Sequence, residues 1–68
     1  MNRVPVSSSN LHSVGYNQAT KTLEIAFRDG GIYQYYGVPP QIHQGLMNAP
    51  SKGRYFHKHI KDVYSYRK

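Results

Sequence analysis

Apolar and polar residues alternate most cleanly between Thr22 and Arg28, where Leu23, Ile25 and Phe27 share one parity and Thr22, Glu24, Ala26 and Arg28 the other. A period of two sends successive side chains to opposite faces, so this segment predicts a half-buried strand. Leu11 to Tyr16 alternates less regularly, because Val14 and Tyr16 share a parity that Leu11 does not. One extra residue near Ser13 or Gly15, a β-bulge, would bring all three to one face. Asn17-Gln18-Ala19-Thr20 reads as the turn between these strands. A third strand, Ile32 to Tyr36, follows the hairpin signal Asp29-Gly30-Gly31.

The length of that hairpin loop decides where Tyr33 and Tyr35 point, since a one-residue slip exchanges the faces of a strand. A two-residue Asp29-Gly30 turn pairs Arg28 with Gly31 and sets the two tyrosines opposite Ala26 and Glu24, as an open aromatic platform of the kind bases stack on. A three-residue loop with Gly31 left-handed pairs Arg28 with Ile32, Phe27 with Tyr33 and Ile25 with Tyr35. It leaves Glu24, Ala26, Arg28, Ile32, Gln34 and Tyr36 outside. Burying a large aromatic is worth about 1.5–3 kcal/mol, and a short chain needs that ring area, which favours the second register.

Gly37-Val38-Pro39-Pro40 must break the sheet, and a proline suits the first turn of a helix. The spacing Ile42, Leu46, Ala49 predicts a helix over about 40–48, weakened by Gly45 and ended by Asn48-Ala49-Pro50. Ser51 stands where an N-cap belongs, before a second helix whose apolar stripe is Phe56, Ile60 and Val63. Tyr64 and Tyr66 then alternate in a last extended segment able to join the sheet. Met1 to Asn10 has no periodicity, so residues 1–7 are expected to be a flexible arm and 8–68 a single domain. The predicted class is α+β: an antiparallel three-stranded meander, two short helices packed on one face, and a C-terminal strand, in the order β-β-β-α-α-β.

With 68 residues, 38% hydrophobic content and no cysteine, the chain supports one small core without disulfides or thiolate metal sites. No apolar leader or membrane-length run is present, which suggests a soluble, cytoplasmic, unprocessed protein. The formal charge is +6, and it is concentrated late. From Ser51 onward, Lys52, Arg54, Lys58, Lys61, Arg67 and Lys68 face Asp62 alone. Such an excess favours a polyanionic partner. Its three acids, Glu24, Asp29 and Asp62, form no pair fixed by spacing, and no nucleophile elbow, phosphate loop or metal-binding helix motif occurs. No enzyme activity and no cofactor are expected. His57 and His59 would share a face only on an extended chain, and His12 and His43 complete no ligand set, so no metal is expected either.

Ser8-Ser9-x-Leu11, Val14-Gly15-Tyr16, Leu23-x-Ile25-x-Phe27, Tyr33-x-Tyr35, Gly37-Val38-Pro39, Ala49-x-Ser51-x-Gly53 and Tyr55-Phe56-x-x-x-Ile60 together resemble the KTSC domain. The resemblance covers about Ser8 to Tyr66. That family includes C-terminal domains of some lysyl-tRNA synthetases and free-standing small bacterial proteins. The resemblance implies RNA binding as a suggested role and no activity, and places the family's central Tyr-x-Tyr motif at Tyr33 and Tyr35. In the buried register that motif is mainly structural, with Gly37, Ser51, Gly53, Phe56 and Ile60 as turn, cap, close-packing and core residues.

Cations interleave with rings in the C-terminal third, as in sites that track single strands. Arg54, Lys58, Lys61, Arg67 and Lys68 would meet phosphates, and Tyr55, Tyr64, Tyr66 or an exposed Tyr36 would stack bases. The expected partner is RNA or another single-stranded nucleic acid. The alternative is a protein partner, including a weak homodimer through a sheet edge or the Ile32, Gln34 and Tyr36 face.

Overall fold

The computed structural model describes residues 2–68. Met1, the first residue of the expected arm, lies outside the described residues. The elements are β1 (Val4–Pro5), β2 (Leu11–Asn17), β3 (Thr22–Phe27), β4 (Ile32–Tyr35), α1 (Pro40–Asn48), α2 (Lys52–His59) and β5 (Tyr66–Arg67). They form a five-stranded sheet in sequence order, every neighbouring pair antiparallel, with both helices packed on one face. The α+β class stands, with one strand more than the sequence pattern predicts.

That extra strand is β1, within the segment expected to be an arm. Val4 pairs with Val14 and Pro5 with Ser13, and the Val6 amide donates to the His12 carbonyl at 3.1 Å. Two residues are too few to show a period, and proline, which cannot donate to a ladder, is tolerated at an edge. The loop that follows is also anchored. Ser8 Oγ accepts from the amides of Asn10 and Leu11, and the Arg28 amide and Nε donate to the carbonyls of Asn10 and Ser8.

The expected bulge in β2 lies between Leu11 and Ser13, so Leu11 opposes Phe27 while Val14 opposes Ile25, and all four share the inner face. In the next hairpin the loop is three residues long, as the favoured register requires, but one residue earlier than expected: Arg28-Asp29-Gly30. The Phe27 amide donates to the Gly31 carbonyl, the Gly30 amide to Phe27, and Gly30, at φ 101°, is the left-handed residue in place of Gly31. Ile25 therefore faces Tyr33 and Leu23 faces Tyr35, not Phe27 with Tyr33 and Ile25 with Tyr35. The register differs by an even number of residues, so the tyrosines keep the inner face.

α1 runs over the predicted residues, and α2 starts where predicted but ends before the last members of its expected stripe. Pro40 occupies the first turn of α1, and Ser51 Oγ accepts the Arg54 amide of α2 at 3.4 Å. Gly45 is a packing device rather than a mere weakness. A Cβ there would overlap the Tyr55 hydroxyl, so its absence lets α2 approach α1. α2 stops at His59, and Asp62, left-handed at φ 64°, turns the chain away. Phe56 and Ile60 are buried as expected, but Val63, the third member of their stripe, is 59% exposed because the helical period ends before it.

Leu11, Val14, Leu23, Ile25, Val38, Leu46 and Ile60 are almost wholly buried, with Tyr35 and Phe56 completing the core. α1 also rests on β2, where His43 stacks on Tyr16 with centroids 4.5 Å apart. The outward side chains of β3 are covered too. Glu24 accepts from Arg3 Nη1 at 2.7 Å and from Gln34 Nε2 at 2.9 Å, and Tyr36 donates to Gln34. Thr22, Glu24 and Ala26 are consequently buried although they point away from the helices, because β3 is the central strand. Among the described residues no helix is long and apolar enough to cross a membrane.

Candidate nucleic-acid interface

Inner-face rings that the helices leave partly uncovered build a cleft of about 500 Å³. Phe27 meets Tyr33 edge-on at 5.5 Å between centroids and Phe56 at 5.3 Å, and β5 brings Tyr66 to 5.6 Å from both Tyr33 and Tyr35. The register of β5 makes this contact: Tyr66 opposes Tyr35 and points inward, while Arg67 opposes Gln34 and points outward. The Lys68 ammonium sits 5.7 Å from the centroid of Tyr33, in cation–π range.

Four charged side chains line the cleft, Arg28 and Lys61 against Asp29 and Asp62, so its own wall is electrically balanced. The Tyr35 hydroxyl is pushed up to about 12, first by burial and then by Tyr33, Tyr66 and Asp62. Next to the cleft, and sharing Ser9, Asn10 and His57 with it, lies a shallow depression formed also by Ser51, Gly53, Arg54 and Lys58. This shelf contains two cations and no acid. Asn10 reaches it because Gly53 has no side chain to exclude it.

The structure divides the residues expected to bind. Lys61 and Tyr66 line the cleft, Lys68 overhangs it, and Arg54 and Lys58 form the shelf. Tyr55 is elsewhere, its hydroxyl against Gly45 and its ring 4.4 Å from His59. Tyr64 packs against the core, and Arg67 and Tyr36 belong to the outer face of the sheet. Tyr33, Tyr35 and Phe56, expected to be structural, also form walls of the cleft. Sequence reasoning missed Asn10, Phe27, Arg28, Asp29, His57 and Asp62. The first four come from the N-terminal half: β3 sets Phe27 against Phe56, and the pairing of Arg28 with the Ser8 to Asn10 loop holds Asn10 near α2. His57 and His59 both lie on α2, so their side chains diverge. Among the described residues no three metal-ligating side chains cluster.

A small α+β domain with an aromatic cleft beside a basic shelf is the class that fold and site define. The chain belongs to the KTSC domain family, whose model matches residues 7–64. An uncharacterised protein of Stutzerimonas stutzeri is 43% identical over 61 residues, covering 90% of this chain and 86% of that protein. A lysine–tRNA ligase of Nostoc punctiforme is 43% identical over 58 residues, covering 85% of this chain but 10% of the ligase. The crystal structure of a KTSC domain protein from Yersinia pestis is similar with a TM-score of 0.96 and 51% identity, covering 98% of this chain and 94% of that one. The family thus occurs both free-standing and as part of lysine–tRNA ligases.

Proposed function

We propose that the protein is a non-enzymatic domain that binds single-stranded nucleic acid, RNA in the first place, across the cleft and the shelf. The observation that carries this reading is the adjacency of exposed ring surface and an acid-free pair of cations: Tyr33 and Tyr66 on one side of Asn10, Arg54 and Lys58 on the other. Bases stack on rings whatever their identity, and phosphates follow cations, so such an arrangement suits an unpaired strand better than a duplex. The similarity to a segment of lysine–tRNA ligases supports RNA as the polymer.

The test is fluorescence anisotropy with a short mixed-sequence single-stranded RNA at several salt concentrations. Three phosphate contacts, at Arg54, Lys58 and Lys68, predict a log–log slope of about −2, from roughly −0.7 per phosphate. No binding at low salt, or affinity indifferent to salt, overturns the proposal.

A further inference from the structure

We infer, building on the nucleic-acid reading above, that the aromatic cleft takes one guanine base of a single-stranded RNA while a phosphate of the same strand rests on the Arg54 and Lys58 shelf. The cleft volume of about 500 Å³ lies within the range of small-ligand sites. Its walls are rings, and the exposed Tyr66 together with Lys68 over Tyr33 shows that ring surface remains reachable from solvent. The Lys68 ammonium rides on a flexible four-carbon stem, so a base can displace it from Tyr33 without moving the fold.

The charge pattern separates the two halves of the ligand. Arg28 and Lys61 offset Asp29 and Asp62 in the cleft, so a phosphate gains nothing there, whereas a neutral base finds both donors and acceptors. The shelf, with Arg54 and Lys58 and no acid, is where the phosphate belongs. Base identity follows from the carboxylates. A carboxylate only accepts, through two oxygens, and guanine alone among the common bases offers two adjacent N–H donors, from N1 and N2, on one edge. Asp29 Oδ1 already accepts from the Gly31 amide at 3.0 Å. Asp62 is therefore the residue assigned to that edge, with Arg28 or Lys61 donating to guanine O6 and N7.

The experiment titrates the full chain with five labelled pentaribonucleotides, four uridines flanking a central guanine, adenine, cytosine, uracil or hypoxanthine. Guanine is expected to bind about tenfold tighter than uracil, the scale of a pair of charge-assisted hydrogen bonds. Hypoxanthine, which lacks the N2 amine, should lose most of that advantage. Asp62→Asn should abolish the guanine preference, while any gain from removing a negative charge is shared by all five pentamers. Asparagine tolerates the left-handed backbone at position 62, so this variant keeps the fold, and circular dichroism checks that it does. Asp29→Asn should retain the preference. Equal binding of all five, a preference for another base, or guanine preference surviving in Asp62→Asn overturns the inference while the nucleic-acid reading stands. Failure of every pentamer to bind at low salt overturns both.

Discussion

Two ends of one sheet face differ in how completely the helices cover them. At the first, Leu23, Val38, Leu46 and Ile60 are wholly buried and Tyr16 is capped by His43. At the second, Phe27 and Tyr33 are only half-buried, and the cleft opens between them and Tyr66. Helices of nine and eight residues are too short to roof the whole sheet. The open end is walled mainly by rings, because a ring can be part buried and keep a face or a hydroxyl in water. Stability and binding are thus drawn from different parts of the same surface.

Breaking the closed end should have the largest effect. Leu46→Ala leaves a cavity in a dry, close-packed site and is expected to cost about 3 kcal/mol, a large fraction of what a domain this small possesses. Urea denaturation measures it. Gly45→Ala comes next. The added methyl displaces the Tyr55 hydroxyl from its seat between the helices, and overpacking of this kind costs about 1–3 kcal/mol, read as a lower midpoint of thermal unfolding.

Tyr66→Ala at the open end should invert this order. Its cross-strand ring contacts are worth no more than about 1 kcal/mol to the fold, yet loss of one stacking surface should weaken single-stranded RNA binding about tenfold. An equal loss of stability in Tyr66→Ala and Leu46→Ala would erase the contrast between the two ends.

The smallest effect appears only in alkali. The Tyr35 hydroxyl ionises at about 12 in the folded protein against an ordinary 10.0. Its folded-state value is raised, so its contribution is intact below pH 10 and is lost as pH rises from 10 towards 12. Tyr35→Phe removes this term. Its stability curve across that window should fall less steeply than that of the parent, as followed by urea denaturation at each pH.

Most of the fold was legible because it is written in local periods. Leu23, Ile25 and Phe27 declare a strand, Ile42 and Leu46 a helix, Ser51 its successor, and the parity break between Leu11 and Val14 a bulge. β1 was not legible, since two residues carry no period. Val63 continued the helical stripe on paper, but the helix ends at His59 and the chain turns away at the left-handed Asp62. The cleft was half legible: Lys61, Tyr66 and Lys68 stood out by charge and ring content, while Asn10, Phe27 and Arg28 had no signal beyond their places in a turn or strand.

The sequence by itself determined which residues within β2, β3 and β4 share a face, because a strand alternates with a period of two and parity survives any even shift of register; that the tyrosines of β4 lie on the inner face was favoured by burial and decided by the pairing. Tertiary structure alone decided that the hairpin closes over Arg28-Asp29-Gly30 and that Tyr33 stands beside Tyr66. It also brought the loop at Asn10 to rest against Gly53 of α2. These are contacts between segments 33 to 43 residues apart, or choices among glycines that all tolerate the turn. Local propensity is silent on both, and only simultaneous packing of the whole sheet against two helices selects one arrangement.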